Sequence, residues 1–334
     1  MAQVVFFKSD STGCGYYRSD LPAKVLKDHG ISSEVRFIKP TFRAYPETKV
    51  IFVQRHYIFI DVPALLRKFK RRGLKIVYDL DDDFFNLTPE INLYRIRENL
   101  LKEIRTLASF ADIMTVSTPQ LKELSKQIFD QEIVVIPNML DLSIWKPNKT
   151  KDDGRIRIGW AGSPTHHRDL MSIYPVLKRI LNECNNVDLV FFGYCPKDFL
   201  KFGERVSFIK GGSYDYYVNT LPDLGIDIGV IPVIDSAFNK SKSLIKFAEY
   251  CALGLPCVIS NLPPYHEIAG DSRDFLVSTE QDWYKKLILL IRDLDLRKTV
   301  SKLNLVIAKQ FSAETKGNLW HSLINAIQTN KITK

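Results

Sequence analysis

The feature that most constrains this chain is an alternation of short apolar runs with amphipathic stretches, which occurs twice. Apolar runs of four to six residues bounded by turn residues read as buried strands. In the first half they fall at Val4–Phe7, Ser33–Ile38, Val50–Gln54, in KIVYD and DIMTVS, and at Ile133–Asn138. Between them, Ser19–Asp28 closing on Gly30, Ala64–Arg72 ending at Gly73, and Tyr94–Phe110 carry the helical period. Strand and helix taking turns at this spacing predicts a parallel sheet covered on both faces. Polar residues, a proline and Gly154 in Met139–Arg155 then break the rhythm, which places a domain boundary near residue 150.

The pattern restarts after the break. RIRIGWAG reads as a strand entering a glycine turn, Asp169–Cys184 as a helix, VDLVFFG as a strand, VSFIKGG as a strand or sheet edge, and DIGVIPV as a further strand. Ser241–Leu253 follows as a helix, PCVIS as a strand, two helices run on from Asp282, and the amphipathic Ser312–Gln328 carries Leu319, Trp320, Leu323, Ile324 and Ile327. A length of 334 residues suits two such domains of roughly 150 residues each. The expectation is therefore an α/β protein with two similar domains and no short internal repeat.

Composition excludes several classes. With 45% hydrophobic and 25% charged residues the chain is neither disordered nor of low complexity. No apolar run approaches the ~20 residues of a membrane span. MAQVVFFKSD has no basic segment before its apolar run and no small-residue cleavage site after it, so it reads as a first strand, and a cytoplasmic location is expected. Five cysteines, Cys14, Cys184, Cys195, Cys251 and Cys257, show no zinc-binding spacing and read as free thiols. A net charge of +9 favours phosphate-rich partners such as nucleotides, anionic membranes or nucleic acid, without choosing among them.

In open α/β sheets ligands sit beyond the carboxyl ends of the strands, where helix N-termini offer unpaired N–H groups to phosphate. The stretch GVIPVIDSAFNKSKSLIKFAEY leads from a strand through a polar loop into a helix, with Lys240, Ser241, Lys242 and Ser243 at the expected helix start. Lys246 and Glu249 are three residues apart and share a face, so a ligand held by one is within reach of the other. A solvated Lys–Glu helix pair is the plainer alternative.

The segment KSLIKFAEYCALGLPCVIS, with a loop that ends in Glu267, resembles the donor-binding signature of the group 1 glycosyltransferases of GT-B type. IGWAGSPTHHRDL resembles the first strand and loop of that family's C-terminal domain, and VYDLDDDFFNL, IVVIPNMLDLSIW and GCGYYRSDLPAKVL resemble parts of its N-terminal domain. The resemblance implies two Rossmann-like, doubly wound domains facing across a cleft: an acceptor domain over 1–150, a nucleotide-sugar domain over 151–311, and a C-terminal helix, 312–330, crossing back to the first. It also implies transfer of a sugar from a nucleoside-diphosphate sugar, UDP-linked in expectation, to an acceptor hydroxyl. Retention of configuration and independence of metal go with it, and no cofactor beyond the donor.

Carried onto this chain residue by residue, the family's ribose-binding glutamate falls on Glu249. Diphosphate binding falls on Lys242, Ser243 and Lys246, donor-facing polar positions on His166, Arg168 and Asp169, and donor binding in the glycine turn before them on Gly162 and Ser163. The first glycine loop falls on Gly13 and Gly15. Lys242, Lys246 and Arg168 are the expected stabilisers of the departing diphosphate. Two departures stand out: Ser241 occupies the place of a second glutamate that contacts the donor sugar, and Tyr78-Asp79 stands where many members have a histidine.

The acidic run Asp79, Asp81, Asp82, Asp83 has two readings. Asp-X-Asp at a strand end can hold a divalent ion on a nucleotide sugar; alternatively Asp79 or Asp81 orients an acceptor hydroxyl. Arg67, Lys68, Lys70, Arg71, Arg72 and Lys75, after a strand ending in Arg55-His56-Tyr57, read as a solvated helix face, as a surface for anionic lipid, or as a DNA contact. The acceptors open at this point are a glycan, a lipid-linked glycan, or a hydroxymethylated DNA base. A catalytically inactive module that binds a sugar nucleotide or glycan is a further alternative.

Overall fold

The computed structural model describes residues 2–39, 41–55, 61–89, 91–266 and 275–329. His56, Tyr57 and Glu267, singled out above, lie outside them. The chain divides into two compact units: Met1–Leu140 with Ser241–Ser243 and Ser312–Lys334, and Asp141–Lys240 with Leu244–Phe311. The boundary expected at residue 150 thus falls inside the second unit, because Asp141–Thr150 is fastened there: Asn148 N–H bonds Leu253 O and Lys149 N–H bonds Pro222 O.

Unit 1 holds a six-stranded sheet of β1 (Val4–Lys8), β2 (Ser33–Phe37), β3 (Val50–Gln54), β4 (Lys75–Leu80), β5 (Ile113–Val116) and β6 (Glu132–Val135). The spatial order is β2-β1-β3-β4-β5-β6 and every pairing is parallel. A central strand buried on both faces carries a continuous apolar run rather than an alternating one, as in VIFV of Val50–Gln54. On one face, Leu21, Val25 and Leu26 pack with Trp320, Leu323, Ile324 and Ile327 of the Asn318–Gln328 helix. The indole of Trp320 stands edge-on to Phe6 and Phe52.

The helix expected from Ser19 starts earlier and irregularly. A helical turn at Gly13–Gly15 runs through a π-helical stretch, Tyr16–Asp20, into Leu21–Asp28. The wider π turn rotates Arg18 to the inside, where it is 0% exposed.

Unit 2 has β7 (Ile156–Ala161), β8 (Val187–Gly193), β9 (Val206–Lys210), β10 (Ile228–Ile231), β11 (Cys257–Ser260) and β12 (Leu276–Val277). They are all parallel, in the order β12-β11-β10-β7-β8-β9. Counted from β7, this is the 3-2-1-4-5-6 order of dinucleotide-binding folds, whose winding reverses between its first and fourth strands, here β7 and β10. The expected Asp169–Cys184 helix is two helices, His167–Met171 and Tyr174–Glu183, with Pro175 able to start the second because its missing N–H needs no partner there. No helix among the described residues is long and apolar enough to cross a membrane.

A candidate nucleotide site at the switch point of unit 2

Where a doubly wound sheet reverses its winding, the two loops leaving the adjacent strands splay apart and open a crevice. In unit 2 that point lies beyond Ala161, the last residue of β7, and beyond Ile231, the last of β10. The residues gathered there come from three segments of the sequence.

The first segment is the turn after β7. Gly162 N–H bonds Phe192 O, while Gly193, at φ +90, brings its α-carbon so close that an added Cβ would lie 2.3 Å from Gly162 O. Only glycine allows that approach and that backbone angle. Ser163 is exposed and pairs with Thr165. His166 Nδ1 lies 2.9 Å from Asp169 Oδ2, and His167 Nδ1 bonds the Tyr194 hydroxyl at 2.8 Å. Arg168 is exposed.

The second segment is the loop after β10. Asp169, buried, accepts Ile234 N–H and Asn239 Nδ2 at 3.0 Å each on Oδ1, so one carboxylate ties the turn after β7 to the loop after β10. This crosslink holds the two lips of the crevice, and a buried carboxylate with several donors is well satisfied.

The third is the Ile245–Ala252 helix, which begins four residues later than expected. Lys246 Nζ donates to Ala161 O at 2.5 Å and stands 3.9 Å from Glu249 Oε2. Tyr250 OH accepts Ala161 N–H at 3.1 Å. Both backbone groups at the end of β7 are therefore held by this one helix. Glu249 is 5% exposed, and its Oε2 accepts the Tyr217 hydroxyl at 2.8 Å. Burial first, then the Glu249 charge, push the Tyr217 phenol well above its ordinary range, so it stays a donor at physiological pH. The Tyr217 ring is itself fixed by Phe192 at 5.3 Å and Trp145 at 5.9 Å.

The helix onset corrects the expectation for Ser241–Ser243. These residues belong to unit 1. Thr118 Oγ1 donates to Ser241 O and Asn138 Nδ2 donates to Ser243 Oγ, while burial raises the Asp82 carboxyl above its ordinary range against the opposing charge of Lys242. They do not sit on the first turn of the helix that carries Lys246 and Glu249.

The strand ends of unit 1 are filled by the chain's own ions. Asp79, 0% exposed, takes Arg18 Nη2 at 2.6 Å, Arg18 Nε at 3.1–3.2 Å and Thr115 Oγ1 at 2.7 Å. Its carboxylate is an anchor for Arg18. Arg18 also donates to Ile136 O and Asn138 Oδ1 and lies against Trp320. Asp81 is paired with Arg55, whose backbone is left-handed at φ 57, a strained state for a residue with a side chain. Asp83 accepts the N–H groups of Phe85 and Asn86. Asp79, Asp81 and Asp83 therefore serve three different partners. No group of three or more His, Cys, Asp or Glu side chains among the described residues is placed to hold a metal ion.

Gly13 and Gly15 lie in the turn after β1. Asp10 Oδ1 accepts the N–H groups of Thr12 and Gly15, so a carboxylate of the chain occupies the amide nest that a phosphate would use. A Cβ on Gly15 would lie 2.0 Å from Asp10 O. Although burial works to raise it, Asp10 is held below the usual carboxylate range by Arg55 and by its bonds to Thr12 and Gly15. Gly15 is required for that close approach to Asp10 O.

No family model and no curated protein sequence matches this chain. Solved structures do. Anabaena HepE in complex with UDP and glucose is similar at a TM-score of 0.65 and 15% identity, covering 98% of this chain and 100% of HepE. The pneumococcal O-GlcNAc transferase GtfA in complex with UDP and GlcNAc is similar at 0.58 and 13%, covering 84% of this chain and 57% of GtfA. A putative UDP-N-acetylglucosamine 2-epimerase from Listeria monocytogenes is similar at 0.54 and 12%, covering 100% and 98%. At these identities the likeness is one of fold. The chain has the GT-B fold, two Rossmann-like units each built on a six-stranded parallel sheet.

Proposed function

We propose that the chain is a glycosyltransferase that takes a sugar from a UDP-linked donor, with unit 2 holding the nucleotide. The observation that carries this reading is the Lys246–Glu249–Tyr217 group at the β7–β10 switch point. A carboxylate fixed by a neutral phenol is suited to accept hydrogen bonds from the vicinal hydroxyls of a ribose, and the ammonium beside it to neutralise phosphate. Arg168 and the N–H groups opening the Ile245–Ala252 helix supply further positive charge. HepE and GtfA, similar in fold, were solved with UDP bound, which supports the choice of nucleotide.

The reaction we infer forms a bond between the anomeric carbon and an acceptor oxygen as the bond to the diphosphate breaks. The acceptor proton passes to the leaving phosphate, giving retention of configuration. The protein's part is orientation and charge stabilisation, worth on the order of 10²–10³ in rate for each well-placed donor.

For the acceptor we infer a glycan, free or lipid-linked. On the Val62–Arg71 helix, Arg67, Lys68, Lys70 and Arg71 are exposed; Lys70 pairs with Asp112, while Lys68 and Arg71 have no ion pair among the described residues. This face supports an anionic surface beside the acceptor, either lipid or DNA. The fold shared with the Listeria protein favours one competing reading, sugar-nucleotide epimerisation, which needs the same nucleotide grip and no acceptor.

A panel of nucleotide sugars, each incubated with vesicle-bound lipid-linked glycan, free glycan or hydroxymethylated DNA, tests the reading. Acceptor-dependent UDP release that persists in EDTA is expected. Conversion of the donor sugar to its epimer without acceptor, or strict metal dependence abolished by Asp81→Ala, would overturn it.

A further inference from the structure

Unit 2 contains a cavity of about 660 Å3 at the end of its sheet opposite the switch-point crevice. Its lining includes Ile156, the first residue of β7, Ile226 and Asp227 just before β10, and Pro256 just before β11, all at the amino ends of their strands. The volume lies within the ~300–1,000 Å3 typical of small-molecule sites.

The walls are built and held. Asn148 is strapped by its N–H to Leu253 O and by its Nδ2 to Ile226 O, and Lys149 by its N–H to Pro222 O and its ammonium to Asp223. This fixes the Pro147–Lys151 stretch as one wall. The Leu294–Ala308 helix supplies another through Arg297, Lys298, Ser301 and Leu305. Gly254, at φ +66, lets the chain turn between them: a Cβ there would meet Ser301 Oγ at 3.0 Å. Gly254 lies just past the Ile245–Ala252 helix, so the cavity abuts the far end of the element that carries Lys246 and Glu249.

Three features of the lining define a ligand. Asn148 Oδ1 is buried and has no hydrogen-bond partner among the described residues, an acceptor that costs about 1–3 kcal/mol unless a donor meets it. Among the cations, Arg155 is spent on Asp188 and Arg297 on the carbonyls of Leu290 and Ile291. Lys151 and Lys298 line the cavity with no ion pair among the described residues. Opposing them, burial raises the Asp227 carboxyl above its ordinary range, while Asp152 is exposed. Leu255, Pro256 and Ile156 add an apolar floor for a ring face. Cations, an unmet acceptor and apolar lining residues together match an anion that also carries hydroxyl donors and a ring.

We propose that this cavity is a second ligand site of unit 2, taking a small hydroxylated phosphate ester of the nucleotide monophosphate or sugar phosphate kind, distinct from the site at the switch point. The test uses the full chain and hydrogen exchange, which locates the bound probe. Uridine 5′-monophosphate, glucose 1-phosphate and inorganic phosphate are titrated separately onto wild type, Lys151→Glu/Lys298→Glu, Ser301→Trp and Glu249→Gln.

At least one ester should protect amides in 253–256 and 294–305, and the concentration needed for that local protection should rise tenfold or more in the charge-reversed and cavity-filled variants and stay unchanged in Glu249→Gln, whatever Glu249→Gln does to protection at the switch point. A stronger effect of the nucleotide identifies a nucleotide site, and a stronger effect of glucose 1-phosphate a sugar-phosphate site. Three outcomes would overturn the proposal: no protection in these segments by any probe, protection indifferent to both cavity variants, or inorganic phosphate protecting as strongly as the esters. Because the Glu249→Gln arm acts only at the switch point, failure here is separable from failure of the donor-site reading.

Discussion

The two units share a six-stranded parallel sheet and differ in what stands at the carboxyl ends of their strands. In unit 1 those ends are closed by the chain's own ions: Arg18 on Asp79, Arg55 on Asp81, and Asp10 in the glycine turn. In unit 2 they carry a sparse set of oriented groups, with Asp169 bracing two loops and Tyr217 fixing Glu249 beside Lys246. A site already saturated with internal charge has little left to give a nucleotide. A braced site whose fixed groups suit ribose and phosphate is pre-organised for one. The same fold thus spends polar residues on stability in one unit and on orientation in the other.

That contrast can be broken most forcefully at Arg18. Removing one member of a buried ion pair leaves an unpaired charge and costs about 3–5 kcal/mol. Arg18→Ala should therefore lower the melting temperature by about 10 °C, read by calorimetry. Arg18→Met with Asp79→Leu should recover most of the loss, since neither charge is then stranded. A single variant as stable as wild type would show that the pair does not anchor unit 1.

A smaller effect is expected at Tyr217. Tyr217→Phe deletes the hydroxyl that holds Glu249 and keeps the ring between Phe192 and Trp145. UDP affinity measured by calorimetry should fall about three- to tenfold, the scale of one hydrogen bond to a charged group, with little change in melting temperature. Loss of stability without loss of affinity would assign the phenol to packing.

The smallest effect concerns Asp82. Burial raises its carboxyl above the ordinary value, with Lys242 and Arg55 opposing. A folded-state pKa above the unfolded one contributes stability below the unfolded value, near pH 4, and that contribution is lost as pH rises through the folded value. Wild type should therefore lose stability relative to Asp82→Asn as pH rises from about 4, by a degree or two in melting temperature. A gain over the same range would mean that Lys242 and Arg55 dominate.

Much of the fold was legible because parallel strands buried on both faces are written as continuous apolar runs; VIFVQ and KIVYD needed no tertiary information. Boundaries were less legible where local propensity lost to partners far along the chain. The π turn at Tyr16–Asp20 exists to bury Arg18 against Asp79, and nothing in GCGYYRSD announces that partner. Ser241–Ser243 carries helix-compatible residues yet is held by Thr118 and Asn138, so the helix waits until Ile245.

The candidate site divides along the same line. Lys246 and Glu249 could be read from their spacing on one helix. Tyr217 was missed because YDYY offers three tyrosines and the sequence does not say which one meets the carboxylate. The ion pairs of Asp79 and Asp81 were not legible in the acidic run because their cations, Arg18 and Arg55, arrive from other elements.

The central claim, that unit 2 grips the nucleotide through Glu249 and its neighbours, is tested most directly by calorimetric titration of UDP into wild type and Glu249→Gln, with hydrogen exchange locating the bound nucleotide. The account predicts protection of the 161–169 and 245–252 amides in wild type and at least a tenfold loss of affinity in the variant at unchanged melting temperature. Equal affinity in the two proteins, or protection confined to the strand ends of unit 1, would contradict it.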